Sequence, residues 1–563
     1  MPLRESLLKL LLLAGAACVA ITEALSPFHL LTRPAIIVAW LIAFAALAYT
    51  TPRPSFHPRR PTLLEALYLT AIAAILVTVL YTALHSAPNS ADAMAYHLPR
   101  IIYWIQARSI AFFPTPYLNQ ISLQPFAEYA MFHTYLLSGG DHFVNLIQFT
   151  GFAGSIVGAS LLAAALGLDR PAQIVAALAA ATLPNGILQA SGAKNDCLLS
   201  LWLIALVYFT IRREPFYIAL ALGLALGTKA TAYLFAPPML VAAYFLAPAP
   251  RQIKWSTALA VLIGALWLNA PQFARNLDLS GSPLGFDSAQ ADGVYRWRND
   301  NISLKGAASN ILRNLSEQLG ARSPSWNEAV YRASLRAHAF LGADPEDPAT
   351  TWAYAKYLPP KNSAHEADAN NRWHLLLIAV AALSTVIFPS QRRFWPYAAA
   401  LLAAFLLFCA YLKWQPYLSR LELPLFLLAA PLIAALVRKP AWLQGMVCLF
   451  LLSGARLPAL ENWTRPLRGP QSILHQPRDL QYFNDLIQFP VRDQTLSAVD
   501  RFAALPCKVI GLDINQNQLE YPFQALLLEK DPHVRFIHVN VHNPSARYAR
   551  PDDPQPCATF QLR

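Results

Sequence analysis

Long apolar windows separated by short polar connections run through most of this 563-residue chain. Windows of roughly 16 to 24 apolar residues, the length a helix needs to cross the hydrocarbon layer of a bilayer, fall at 7–24, 35–50, 63–84, 143–166, 172–189, 196–211, 215–228, 231–247, 255–271, 373–389, 396–412, 421–437 and 441–455. The pattern predicts about thirteen spans, several of them shorter than the rule of about 20 residues asks for. The pair meeting at Gly227-Thr228-Lys229 also reads as one broken helix. Two mixed stretches, 92–108 and 124–137, predict helices lying in the membrane interface. Pro99 marks the first turn of the earlier one, where proline is tolerated, and leaves Asp92 on the incoming loop, free to approach a substrate. Amphipathic stretches near 303–319 and 326–340 give the long connection 272–372 helices of its own. Beyond about 457 the pattern changes to strand-like 508–514, helix-like 518–530, strand-like 534–541 and strand-like 558–562. The predicted fold is therefore mainly α: a polytopic transmembrane bundle over 1–456 with outward loops 85–142 and 272–372, followed by a small extracytoplasmic α/β module over 457–563.

Composition agrees with a membrane and against a soluble protein of this size. The chain is 55% hydrophobic and 13% charged, with a mean hydropathy of +0.34. A net charge of +12 raises the question of nucleic acid, but the basic residues form no long run or single face and instead punctuate the spans. Arg4 and Lys9, Arg53/Arg59/Arg60, Arg170, Arg212/Arg213, Arg251/Lys254, Arg392/Arg393 and Arg438/Lys439 occupy every second connection. Lys and Arg are retained on the cytoplasmic side, so the N-terminus faces in. The Asp92 loop, 272–372 and the tail face out, in a bacterial cytoplasmic membrane; Arg33 alone disagrees. Gly15-Ala16-Ala17-Cys18 distantly resembles a lipoprotein cleavage site without its usual leucine, and the first span reads as a retained helix. Cys18, Cys197, Cys409 and Cys448 lie in or beside apolar spans, where cysteine is a small buried hydrophobe. Cys507 and Cys557 both lie in the outward tail, where an oxidising compartment permits a bridge.

The cytoplasmic connections are about four to twelve residues long by the same reading, too short for a folded nucleotide-binding domain. Gly223 to Lys229 reads Gly-Leu-Ala-Leu-Gly-Thr-Lys and lacks the Gly-Lys-Ser/Thr order of a phosphate loop. Chemistry is instead expected at the outward rim. Ionisable groups are costly there and mark function more often than elsewhere in a membrane protein. Asp92, Glu128, Asp196, Glu366 and Asp368 supply carboxylates; Arg100, Lys194, Lys229, Arg275, Lys413 and Arg420 supply cations. An amphiphile that carries a sugar on a lipid phosphate presents its head at this depth. Cations would hold the phosphate and stabilise charge growing on it, while a carboxylate, here Asp92, takes the proton of an attacking hydroxyl. Blander readings stand beside this one. Asp92 also reads as a solvated loop residue or a partner of Arg100, and Lys229 as a lysine snorkelling to the interface. His365-Glu366-x-Asp368 reads either as a divalent-cation ligand set or as a solvated run, so no cofactor is assigned and a metal stays open. A secondary transporter with ionisable residues along a solute path is the alternative function. Transporters favour mid-bilayer sites and internal symmetry, and no repeat is evident here.

Several segments together resemble the GT-C superfamily of polytopic glycosyltransferases, which includes the protein O-mannosyltransferases and the lipid A aminoarabinose transferase. They are Asp92-x-x-x-Tyr96-His97-Leu98-Pro99-Arg100, Gln189-Ala190-Ser191 with Asn195-Asp196, and Gly223 to Lys229. Arg275-Asn276 with Ser282-Pro283-Leu284-Gly285, His365-Glu366-x-Asp368, and Lys413-Trp414-Gln415-Pro416-Tyr417-x-Ser419-Arg420-Leu421-x-Leu423-Pro424 complete the set. The resemblance covers about residues 85 to 430. It implies an inverting transfer from a polyprenyl-phosphate sugar to an extracytoplasmic glycan, lipid or protein acceptor. Asp92 would be the base and Lys229, Arg420, Arg100 and Arg275 would face the donor phosphate. Tyr96, His97, Glu128, Asn195, Asp196, His365, Glu366 and Asp368 are the expected substrate-lining residues. The chain departs from the pattern in having a single Asp92 flanked by alanines, not two nearby carboxylates, and in the two extra spans before it.

Overall fold

The computed structural model describes all residues except 1, 51–54, 56–58, 249–253, 290, 292–293, 486–488, 516–517 and 562–563. Arg53 and Arg251, two of the basic residues used for orientation, lie outside the described residues. All thirteen apolar windows fall on helices or helix pairs. Among the described residues five helices are long and apolar enough to cross a membrane alone: Leu3–Phe28, Leu63–His85, Leu146–Ala165, Pro389–Tyr411 and Ala441–Leu460. A sixth span arises if Trp255–Trp267 and Ala270–Ser280, bent by 62°, are taken together. The other windows fall on shorter helices such as Pro215–Thr228 and Ala232–Leu246, so the count of thirteen rests on hydropathy and not on helix length.

The bundle is built round the helix Asp196–Arg212, which is apolar on all sides and buried along nearly its whole length. It packs on Leu146–Ala165, Pro215–Thr228, Ala232–Leu246 and Leu423–Leu436. Gly151, Gly154 and Gly158 line the contact with Leu146–Ala165. A Cβ on Gly151 would stand 2.6 Å from the Cys197 carbonyl carbon and the Leu198 nitrogen, so only glycine allows this approach.

At 17 residues, the central helix is roughly 25 Å long and separates two polar regions. Near Arg212 gather Lys9 with Glu5 and Glu214, Tyr208 with Glu5, Arg4 with Ser160 and Gln173, and Arg170 with Glu65 and the Arg59 carbonyl. Near Asp196 gather the groups described in the next section. Basic residues expected on one side of the membrane thus meet at one end of the bundle, and the expected reactive groups meet at the other.

Outside the bundle, helices Leu304–Gln318 and Pro324–Leu341 start on Ser303 and Ser323, whose hydroxyls accept from the backbone N–H groups of Gly306 and Trp326. In the tail, strands β1 (Val509–Asp513), β2 (Arg535–His538) and β3 (Ala558–Gln561) form a parallel sheet in the order β2-β1-β3. Ile510 pairs with Phe536 on one side and with Ala558 on the other. Helices Arg492–Ala503 and Tyr521–Lys530 pack on each other, and Phe523 stacks on Phe560 with ring centroids 4.0 Å apart. Cys507 and Cys557, just before β1 and β3, are joined as a disulfide with Cα atoms 5.7 Å apart.

The tail lies against the loop 85–142. Asp141 pairs with Arg478 at 2.5 Å and accepts from Tyr482 at 2.7 Å and Tyr521 at 3.0 Å. Tyr103 donates to Glu520 at 3.1 Å, and His538 stands 3.0 Å from the same carboxylate. The two stretches expected as interfacial helices, 92–108 and 124–137, form the helices Leu98–Ala107 and Phe126–Ser138. Tyr103, Trp104 and Phe132 are buried, because the tail and the neighbouring helices cover the faces that hydropathy alone assigns to the membrane surface.

Candidate functional site

Asp92 is not on a free loop. Its backbone is helical (φ −62°, ψ −40°) and leads directly into a single π turn, Ala93–His97, followed by the helix Leu98–Ala107. Pro99 has no N–H to offer the carbonyl four residues back, that of Ala95. That carbonyl accepts from Gln120 Nε2 at 2.9 Å instead. Upstream, Asn89 is pinned by its Nδ2, which donates to the carbonyls of Thr464 at 2.7 Å and Gln481 at 2.8 Å. The π turn and these anchors fix where the Asp92 carboxylate sits.

Five chain segments meet around it. Asp92 forms an ion pair with Arg420, which is carried by the short turn Leu418–Arg420 ahead of the helix Leu423–Leu436. Lys229 caps the helix Pro215–Thr228 and pairs with Asp196 at 2.5 Å while donating to Asn195 Oδ1 at 3.0 Å. Lys194 pairs with Glu366 at 2.5 Å. The other oxygen of Glu366 meets Arg465, and its backbone carbonyl accepts from Gln189 at 2.7 Å. Arg465 is fully buried and also donates to Asn89 Oδ1 at 2.8 Å, Ser191 Oγ at 3.1 Å and the Leu188 carbonyl at 3.2 Å.

Burial pushes the Asp92 carboxyl up, but the opposing pull of Arg420, then Lys194, His97 and Lys229, outweighs it and holds the group well below the usual carboxylate range. Burial acts likewise on Glu366, and Arg465 with Lys194 bring it down to about 2. Both carboxylates are charged at neutral pH. Together Arg420, Lys229, Lys194 and Arg465 outnumber Asp92, Asp196 and Glu366 by one, so the cluster has one unmatched positive charge.

The remaining expected residues stand apart from Asp92 or beside it in other roles. Arg100 belongs to a second buried cluster, 2.9 Å from Glu128, donating as well to the carbonyls of Gln120 and Leu123. His97 is fully buried with Nδ1 3.1 Å from the same Glu128. Tyr96 is buried beside it, ring centroids 4.2 Å apart. Arg275 is held by Glu23 at 2.7 and 2.9 Å and by Tyr129 at 2.9 Å. Arg100 and Arg275 each pair with a carboxylate outside the Asp92 cluster. His365 and Asp368 diverge from Glu366: Asp368 pairs with Lys361 at 2.8 Å and His365 stands 3.5 Å from Asp485. Lys413 is engaged by Asp300 at 3.0 Å. Among the described residues no three His, Cys, Asp or Glu side chains gather as a metal site.

Sequence reasoning missed Arg465 and Asn89. Arg465 is 99 residues from Glu366 and 376 from Asn89, in a segment with no apolar pattern to mark it. No local signal could have found it.

No protein-family model matches the chain, and no curated protein matches it. Among solved structures the chain is similar to ArnT from Cupriavidus metallidurans bound to undecaprenyl phosphate, with 14% sequence identity, 84% of this chain and 90% of that one covered, and a TM-score of 0.39.

Proposed function

We propose that the protein transfers a sugar from a polyprenyl-phosphate donor to a hydroxyl of an extracytoplasmic acceptor, with inversion, at the Asp92 cluster. The observation that carries this reading is the Asp92–Arg420 pair set among Lys229 and Lys194, with one positive charge unmatched at the end of an apolar bundle. That charge complements a lipid phosphate. Five of the segments that resemble the GT-C pattern, those containing Asp92, Asn195-Asp196, Lys229, Glu366 and Arg420, converge on the same cluster.

In the proposed step the donor phosphate lies between Arg420 and Lys229. The phosphate competes for Arg420, and Asp92, released from its counter-ion, becomes a stronger base. The acceptor O–H gives its proton to Asp92 as its oxygen bonds to the anomeric carbon from the face opposite the phosphate. The C–O bond to phosphate breaks, and its electron pair stays on the phosphate oxygen. The extra charge on the leaving polyprenyl phosphate is stabilised by the same two cations.

The test is Asp92→Asn in protein shown to be made and membrane-inserted, assayed for transfer from a radiolabelled polyprenyl-phosphate sugar. Loss of transfer with donor binding kept is expected. Retained transfer would remove Asp92 as the base. A solute-transport defect in a protein with no transfer activity would favour the transporter reading.

A further inference from the structure

The tail segment that follows the last long apolar helix, Ala441–Leu460, is part of the Asp92 cluster through Arg465. Its guanidinium is fully buried and uses all three nitrogens: one on Ser191, one on Asn89, one shared by Glu366 and the Leu188 carbonyl. Glu366 is equally buried and divides its two oxygens between Arg465 and Lys194. Gly192 lets the backbone come this close, since a Cβ there would stand 3.1 Å from Arg465 Nη2 and 3.2 Å from Glu366 Oε2. Lys194 is among the groups that act electrostatically on Asp92.

A carboxylate between two cations cannot neutralise both. Without Arg465, Glu366 would serve Lys194 alone and the pair would have no net charge. With Arg465 in place, the triad has a net positive charge directed at the Asp92 pocket. We infer that Arg465 is a positioning residue for the anion site: by sharing Glu366 with Lys194 it leaves the triad a net positive charge beside the Asp92 pocket, available to a bound phosphate. This rests on the reading of the cluster as a lipid-phosphate site, and it assigns part of that site to the tail.

The triad makes the two partners differ in sign. Removing Arg465 takes a positive charge from the site; removing Glu366 takes a negative one. Damage to the fold would weaken binding in both cases. The experiment uses the full-length protein in lipid nanodiscs, with farnesyl phosphate as probe and farnesol as its uncharged counterpart. Wild type is expected to prefer the phosphate. Arg465→Gln should weaken farnesyl phosphate by roughly tenfold and Glu366→Gln should tighten it, with farnesol unchanged in both, as a unit charge nearby requires. Arg465→Lys, which keeps the charge, should stay within about threefold of wild type by the same argument. Should Arg465→Gln fail to fold, Lys194→Gln tests the other end of the triad and should weaken the phosphate similarly. Shifts of the same sign for Arg465→Gln and Glu366→Gln, or unchanged affinity in Lys194→Gln, would overturn the inference while leaving the phosphate site intact. A wild type that binds farnesol as tightly as farnesyl phosphate would remove the site and the inference together.

Discussion

Replacing Lys229 with Met leaves the Asp196 carboxylate, whose side chain is 1% exposed, without the ammonium 2.5 Å away. Removing one partner of a buried pair costs about 3–5 kcal/mol, because the remaining charge stays desolvated. Two features moderate the loss. Asp196 opens its helix, and the N-terminal dipole stabilises an anion there by roughly 0.5–1 kcal/mol. Arg420 also feels the Asp196 charge and remains as a distant counter-ion. The lower end, about 3 kcal/mol, is therefore expected, which corresponds to a fall of roughly 2–3 °C in melting temperature for a chain of this length. Tryptophan-fluorescence melts in detergent, run on Lys229→Met, Asp196→Asn and the double variant, give the coupling directly. The double variant should recover most of what Lys229→Met loses, since no uncompensated charge is left. A Lys229→Met protein that melts within a degree of wild type, or a double variant no more stable than that single one, would refute the claim that this pair is a desolvated unit.

Three further outcomes follow from the same geometry. Glu366, at about 2 instead of an ordinary 4.5, contributes stability that is complete above its unfolded value and lost as pH falls towards 2. The deficit of Glu366→Gln, on the order of 3 kcal/mol at pH 6, should close between about pH 5 and pH 2 when melts are run across that window; a deficit independent of pH would refute the assignment. Gly151→Ala forces a methyl onto the Cys197–Leu198 backbone and should cost roughly 1–3 kcal/mol, read as a lowered melting temperature, whereas Gly139→Ala meets no atom within 4 Å and tests only the cost of its positive φ. Alkylation of the denatured, unreduced protein followed by peptide mass spectrometry should modify Cys18, Cys197, Cys409 and Cys448 and spare Cys507 and Cys557. Cys507→Ser should destabilise the tail by about 2–4 kcal/mol.

The helices were legible because hydropathy dictates them: a run such as 196–211 can form nothing else in a bilayer, whereas its burial comes from the four helices packed around it. The anion cluster was legible in part. Asp92, Asn195, Asp196, Lys229, Glu366 and Arg420 each stand at the end of an apolar run, and that position is visible in one dimension. What a sequence does not display is the counter-ion. Arg100 and Arg275 look like Arg420 on the page, yet their carboxylates, Glu128 and Glu23, stand 28 and 252 residues away and place them in pairs of their own. The helix at 98–107 read as interfacial for a related reason: its cover, the tail, lies some 400 residues away, as the Gln120–Glu520 contact measures. The π turn after Asp92 left no signal beyond Pro99, whose missing donor is met by a glutamine twenty-one residues on.

Arg465 follows, in chain order, every helix among the described residues that is long and apolar enough to cross a membrane. A chain ending between Leu460 and Arg465 keeps all of those helices and leaves the Glu366–Lys194 contact unshared. The apolar helices and the complete buried triad are thus separable: a product ending in that stretch has the first without the second.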